Sequence, residues 1–187
     1  MQVLEKKREE IEAKVNTMSD FLKMEYLESC VKSNPDINVC KYCYKRLSGL
    51  YENKIMFSEA AKYMAKFEEL CVGANEKIAA LVKEAELLIK AGQYDPADYL
   101  YKKAMALTDT ADKFKIKRDM VEFYKKEATN FELSSKSSGA LKVYEKLVHH
   151  VVDAERDEIR KKMLRLYHNL GKVTEYIRLK AELEKGG

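Results

Sequence analysis

Tryptophan is absent from this chain, and only 2 prolines and 7 glycines occur in its 187 residues. So few backbone breakers exclude a loop-rich or collagen-like fold, and beside abundant Lys, Glu, Ala and Leu they predict helix nearly throughout. No stretch alternates apolar and polar residues between turn signals, which excludes a sheet. No apolar run approaches the ~18 to 20 residues that a membrane span needs. Met1 to Lys14 alternates charges and has no apolar stretch of the signal-peptide kind, so a cytoplasmic, soluble protein is expected. Charge of one sign is missing too. With 35 basic against 31 acidic side chains, the net charge is only +4. No Gly-rich phosphate loop appears, and His149, His150 and His168 have no Ser or Cys at a catalytic spacing. The expectation is an all-α, non-enzymatic protein.

Helical periodicity fills the chain. The first helix is expected from Val3 to about Lys32, with Met18, Phe21, Leu22, Tyr26, Leu27 and Cys30 at helical spacing. Its first turns, Glu5 to Glu10, are so polar that they read as a solvated or frayed end. Ser33-Asn34-Pro35-Asp36 stops it, because the residue before proline is pushed out of the helical region. A second helix is expected over Ile37–Asn53, a third from a Ser58 cap to a Gly73 stop, and a fourth over Asn75–Ala91. Asp95-Pro96 opens a fifth. The sixth spans Ala111–Leu133, and Ser134 to Gly139 follow as a polar loop. The seventh covers Ala140–Val152, the eighth Arg156–Leu170, and a ninth runs to Lys185. Gly186-Gly187 reads as a helix stop.

These helices repeat. Leu81, Ala85, Leu88, Gly92, Ala97, Tyr101 and Ala104 define a pattern in which small Ala85 and Ala97 let two antiparallel helices approach and Gly92 makes the turn. Tyr44, Ser48, Tyr51, Ile55, Ala60, Met64 and Phe67 match it, as do Tyr124, Ala128, Phe131, Ser135, Ala140, Tyr144 and Leu147. Leu164, Tyr167 and Gly171 begin a fading copy that has Tyr176 where the small residue belongs. The small residues and Tyr176 are 37, 43 and 36 residues apart. The pattern resembles the tetratricopeptide repeat, and its longer, irregular units resemble the divergent SNAP-like adaptors. The expected architecture is a single domain, 1–187, of antiparallel hairpins stacked as an α-solenoid of about nine helices. Residues 1–36 form its N-terminal helix and 37–185 its helical pairs.

That resemblance implies a scaffold that binds a peptide or helix in a groove lined by the first helix of each pair. Carried over by position, the groove would include Tyr42, Lys45, Ala79, Val82, Glu86, Ile89, Lys161, Arg165 and His168. Lys45 matches the first basic residue of the carboxylate clamp found in chaperone-binding members, but Gly49 stands where its amide belongs. Lys161, Lys162, Arg165 and His168 share one helix face, either a solvated face or a seat for an acidic partner. Lys113, Lys115, Lys117 and Arg118 are interleaved with Asp112, Asp119 and Glu122, so nucleic acid is disfavoured as a partner.

Four cysteines remain. If the first three helices run up, down, up, then Cys30, Cys40, Cys43 and Cys71 share one end of the bundle. Cys40-x2-Cys43 has the spacing of two thiolates gripping one metal, and Zn²⁺ takes four ligands. Each cysteine also lies on an apolar face, where a free thiol serves as a small hydrophobe. Bound zinc, buried thiols and a redox pair all stay open. A zinc-binding factor associated with nucleic acid is therefore the alternative to a protein-binding scaffold.

Overall fold

One apolar stripe per helix must be buried against a neighbour, and connections of a few residues make successive helices antiparallel. The computed structural model describes residues 3, 5–33 and 36–185. Among them lie ten helices and no strand: α1 (Arg8–Asn16), α2 (Asp20–Ser33), α3 (Ile37–Asn53), α4 (Phe57–Glu69), α5 (Ala74–Lys90), α6 (Tyr94–Ala106), α7 (Thr110–Leu133), α8 (Ser137–Leu147), α9 (Asp153–Asn169) and α10 (Val173–Lys185). None is long and apolar enough to cross a membrane. The chain divides into two units, Met1–Lys113 and Phe114–Gly187. In the first, α2 packs on α3, α3 on α4, α4 on α5 and α5 on α6; in the second, α8 packs on α9 and α9 on α10. Helices adjacent in sequence are adjacent in space, which is the solenoid manner of building a core.

The expected first helix is two. It breaks at Thr17–Ser19, where the Thr17 hydroxyl donates to the Lys14 carbonyl at 2.8 Å and ends α1. Lys6 to Glu10 are exposed, the solvated end expected, yet the helix they lead into is docked: Ile11 and Val15 of α1 are fully buried with Tyr26, Leu27, Cys30, Val39, Cys43 and Leu47. Glu5 holds this corner by accepting from Tyr26 Oη at 2.7 Å and Lys14 Nζ at 2.6 Å. Other boundaries shift slightly. Ser58 lies inside α4, whose cap is Met56, and Gly73 caps the start of α5 instead of ending α4. The expected loop Ser134–Gly139 is shorter, because α8 begins at Ser137. The proposed stop at Asn34-Pro35 and the Gly186-Gly187 end lie outside the described residues.

Four turns recur at the positions that the sequence pattern aligns. Ile55, Gly92, Ser135 and Gly171 all have positive φ, at 61°, 76°, 55° and 67°. Each donates its N–H three residues back, to Glu52, Ile89, Glu132 and His168, and the next residue donates five back, to Tyr51, Leu88, Phe131 and Tyr167. That is the left-handed Schellman ending of a helix, made by glycine twice and by other residues twice. The small contact residues recur as well: Ala60, Ala85, Ala97, Ala128 and Ala140 are fully buried, and Ser48 is buried with its hydroxyl donating to the Ala60 carbonyl at 2.9 Å. Leu164 and Tyr176 take the corresponding places in the fourth copy, where no small pair is available.

Candidate functional site: a basic groove beside α3

Asp36 starts α3 by accepting the Val39 N–H at 3.0 Å. From there Val39, Cys43, Leu47 and Leu50 turn into the core. Asn38, Lys41, Tyr42, Lys45 and Arg46 recur at three- and four-residue steps along a neighbouring face and line a groove of about 580 Å³. Arg8 and Glu12 of α1, Phe67 of α4 and Glu76 of α5 complete its walls.

The charges there are unevenly satisfied. Glu12 lies 3.9 Å from Arg8 Nε, and Glu76 accepts from Lys41 Nζ. The Lys41 hydrogen bond holds Glu76 below the usual carboxylate range, and the Lys45 charge adds to this. Lys45 and Arg46 have no ion-pair partner among the described residues. The Nζ atoms of Lys41 and Lys45 lie 5.7 and 5.8 Å from the centre of the Phe67 ring, a cation–π floor beneath two ammonium groups. The Arg8 guanidinium covers the Tyr42 ring at 5.2 Å. Tyr42 is 9% exposed, and its hydroxyl is buried without a hydrogen-bond partner. Burial raises its pKa, opposed by the nearby Arg46 and Arg8 charges.

Several side-chain ties span a constant distance along the chain. Lys41 with Glu76, Tyr63 with Glu28, Gln93 with Ser58 and Lys103 with Glu68 each join residues 35 apart. Glu52 accepts from both Lys83 and Lys90, at 3.0 and 2.9 Å. In the second unit, Lys125 reaches Glu155 and Arg165 reaches Glu132 over 30 and 33 residues.

A second hollow, about 560 Å³, lies between α8, α9 and α10 and includes His149, Arg156, Arg160, Tyr167 and Arg178. Its polar groups are engaged. Arg156 donates to the Val148 and Val151 carbonyls and to Asp153, and Arg178 faces Glu182. Burial and then a hydrogen bond to Glu145 push Tyr167 up to about 12.

Of the groove residues expected from the sequence, Tyr42 and Lys45 line the α3 groove. Ala79, Val82, Glu86 and Ile89 lie on α5, and Ile89 is fully buried, so it packs between helices and presents nothing to a partner. Lys161, Arg165 and His168 lie on the exposed part of α9, in the other unit. Arg165 is drawn to Glu132 at 3.3 Å, and the His168 ring lies against Tyr176 at 5.7 Å. Arg8, Lys41 and Arg46 were not singled out by sequence, and Phe67 was read only as a repeat position. The spacing 38, 41, 42, 45, 46 is the signal for the α3 members; Arg8 belongs to a separate helix that the sequence does not announce.

The cysteines are free thiols. Cys30 and Cys43, both fully buried, share a hydrogen bond that, with burial, holds Cys43 far above the usual thiol range. Cys71 donates to the Phe67 carbonyl at 3.2 Å, and burial raises it to about 11. Burial, then the Asp36 charge, raises Cys40. Among the described residues no three His, Cys, Asp or Glu side chains are gathered as metal ligands. The groove, by contrast, combines exposed cations, an aromatic floor and an unused hydroxyl, which suits binding an anion-bearing ligand. No family model matches the chain, and no curated protein matches it significantly.

Proposed function

We propose that this protein is a non-enzymatic adaptor, a tetratricopeptide-like scaffold that holds a segment of a protein partner in the groove beside α3. The repeated left-handed turns at Ile55, Gly92, Ser135 and Gly171 and the ties 35 residues apart support the repeat reading. The observation that carries the binding role is the groove wall itself. Lys45 and Arg46 stand there without an ion-pair partner among the described residues, next to a buried Tyr42 hydroxyl without a hydrogen-bond partner. Buried polar groups are ordinarily satisfied, so an exception calls for a partner such as a ligand group or a water. A photo-crosslinking side chain at Asn38, inside the groove, tests this against one at exposed Lys62 on α4. In an extract of the source cells the first should capture a protein that the second does not. Equal capture from both sites, or nucleic acid alone from Asn38, would overturn it.

A further inference from the structure

We infer that the occupant of the α3 groove is an acidic stretch of polypeptide, recognised through side-chain carboxylates and not through a chain terminus. This rests on the reading of the groove as a protein-docking site. Four cations and two carboxylates line it, and each carboxylate has its own cation: Glu12 faces Arg8, and Glu76 is bonded to Lys41. Lys45 and Arg46 are left for a ligand.

The geometry fits an extended acidic segment. Lys45 and Lys41, whose ammonium keeps N–H donors beyond the one given to Glu76, are one helical turn apart, ~6 Å along α3 at 1.5 Å per residue. Alternate side chains of an extended chain repeat every ~6.6 to 6.8 Å on one side. Carboxylates at alternate positions therefore meet successive cations, and their methylene stems reach the Phe67 ring, over which both ammonium groups already sit. Tyr42 adds a donor. Its ring lies under the Arg8 guanidinium, whose side chain is 57% exposed, and its hydroxyl has no hydrogen-bond partner. Arg8, held only by a 3.9 Å pair with Glu12, adds a second charged donor at the same wall.

A polyphosphate chain offers charge of the same sign, but it draws most of its affinity from many cations over a long stripe. Here the surplus is two charges in one groove and the whole chain carries only +4. A short acidic peptide, with apolar stems for the ring and planar acceptors for the guanidinium groups, matches this wall better.

Fluorescence anisotropy tests the inference with a labelled peptide of four glutamate-glycine repeats, amidated at its C-terminus. Its glutamine counterpart, its free-acid form and a labelled uridine octamer serve as comparisons. The amidated glutamate peptide should bind saturably, and the glutamine peptide about tenfold or more weakly. Free acid and amide should agree within about twofold, since side chains carry the recognition. Lys45→Gln with Arg46→Gln, both on the exposed wall, should weaken binding about tenfold with the helical circular dichroism unchanged. Tyr42→Phe should weaken it about threefold while leaving the melting temperature unchanged or higher. Equal binding of the glutamine peptide, a dominant preference for the free acid, or tighter binding of the uridine octamer would each overturn the acidic-segment assignment. So would undiminished binding by the double variant. If the Asn38 crosslink captures a protein that the glutamate peptide neither mimics nor displaces, the docking reading stands and the acidic occupant falls.

Discussion

Ile55 occupies a left-handed turn at φ 61° with its side chain 75% exposed. A β-branched residue there is strained, and nothing is gained from packing to offset it. Ile55→Gly is expected to stabilise the protein by about 1 kcal/mol, the relief of backbone strain less the greater flexibility of unfolded glycine. Urea unfolding midpoints of the two proteins check this. Glu84 shows the same logic in charge. Burial first, and then the Glu68 charge, raises its pKa from 4.5 to about 7. Over that interval the folded protein keeps a proton that the unfolded chain has released, so stability falls as pH rises from 4.5 through 7. Glu84→Gln should remove this loss. After allowance for solvent screening, the variant should be more stable by about 1 kcal/mol at pH 8 and indistinguishable near pH 4.5. Thermal unfolding at the two pH values reads both outcomes. The position of the Ile55 turn is legible in the sequence, since it aligns with Gly92. The Glu84 shift is not, because a carboxylate's desolvation depends on neighbours from other helices.

Among the elements, α1 departs most from its sequence reading. Nine residues with charge at most positions, a short helix of this kind is marginal alone, and Ile11 and Val15 dock it beside α2 and α3. Ile11→Ala should cost about 2 to 4 kcal/mol and release amide protection in residues 8–16 before the rest of the first unit. Hydrogen exchange followed by mass spectrometry measures it. The α7–α8 pair relies on an approach that only glycine permits. A Cβ on Gly139 would sit 2.6 Å from Phe131 Cδ1 and 2.8 Å from its Cε1, so the ring itself must move. Gly139→Ala should therefore destabilise by about 1 to 2 kcal/mol even though alanine favours helix, with Gly139→Ala/Phe131→Leu recovering part of the loss. Chemical denaturation of the single and double variants decides this. In the sequence Gly139 closes a polar run of serines and reads as a loop. Contact with α7 draws it into α8 instead, a tertiary effect that local composition does not contain.

At the scale of the molecule, each unit has its own series of packed helices: α1–α6 end in one, and α8–α10 lie in the other. Stacked helices derive stability chiefly from their immediate neighbours. The loss caused by Gly139→Ala should accordingly appear in amide exchange mainly over residues 114–187, with protection in 1–113 less affected. Uniform loss over the whole chain would contradict that expectation. Helix content, most helix boundaries, the small residues between paired helices and the four turn positions were determined by the sequence alone. Their causes are local periodicity, residue size and backbone freedom, all of which act over a few neighbours. The tertiary structure decided the rest: that the polar N-terminus opens a docked helix, that Cys30 and Cys43 meet in the core, and that Ile89 is core. It also brought Arg8 to Tyr42 and left Lys45 and Arg46 unpaired beside Phe67. Those relations join three helices, and side-chain pairing between helices depends on how far each one slides and turns against the next.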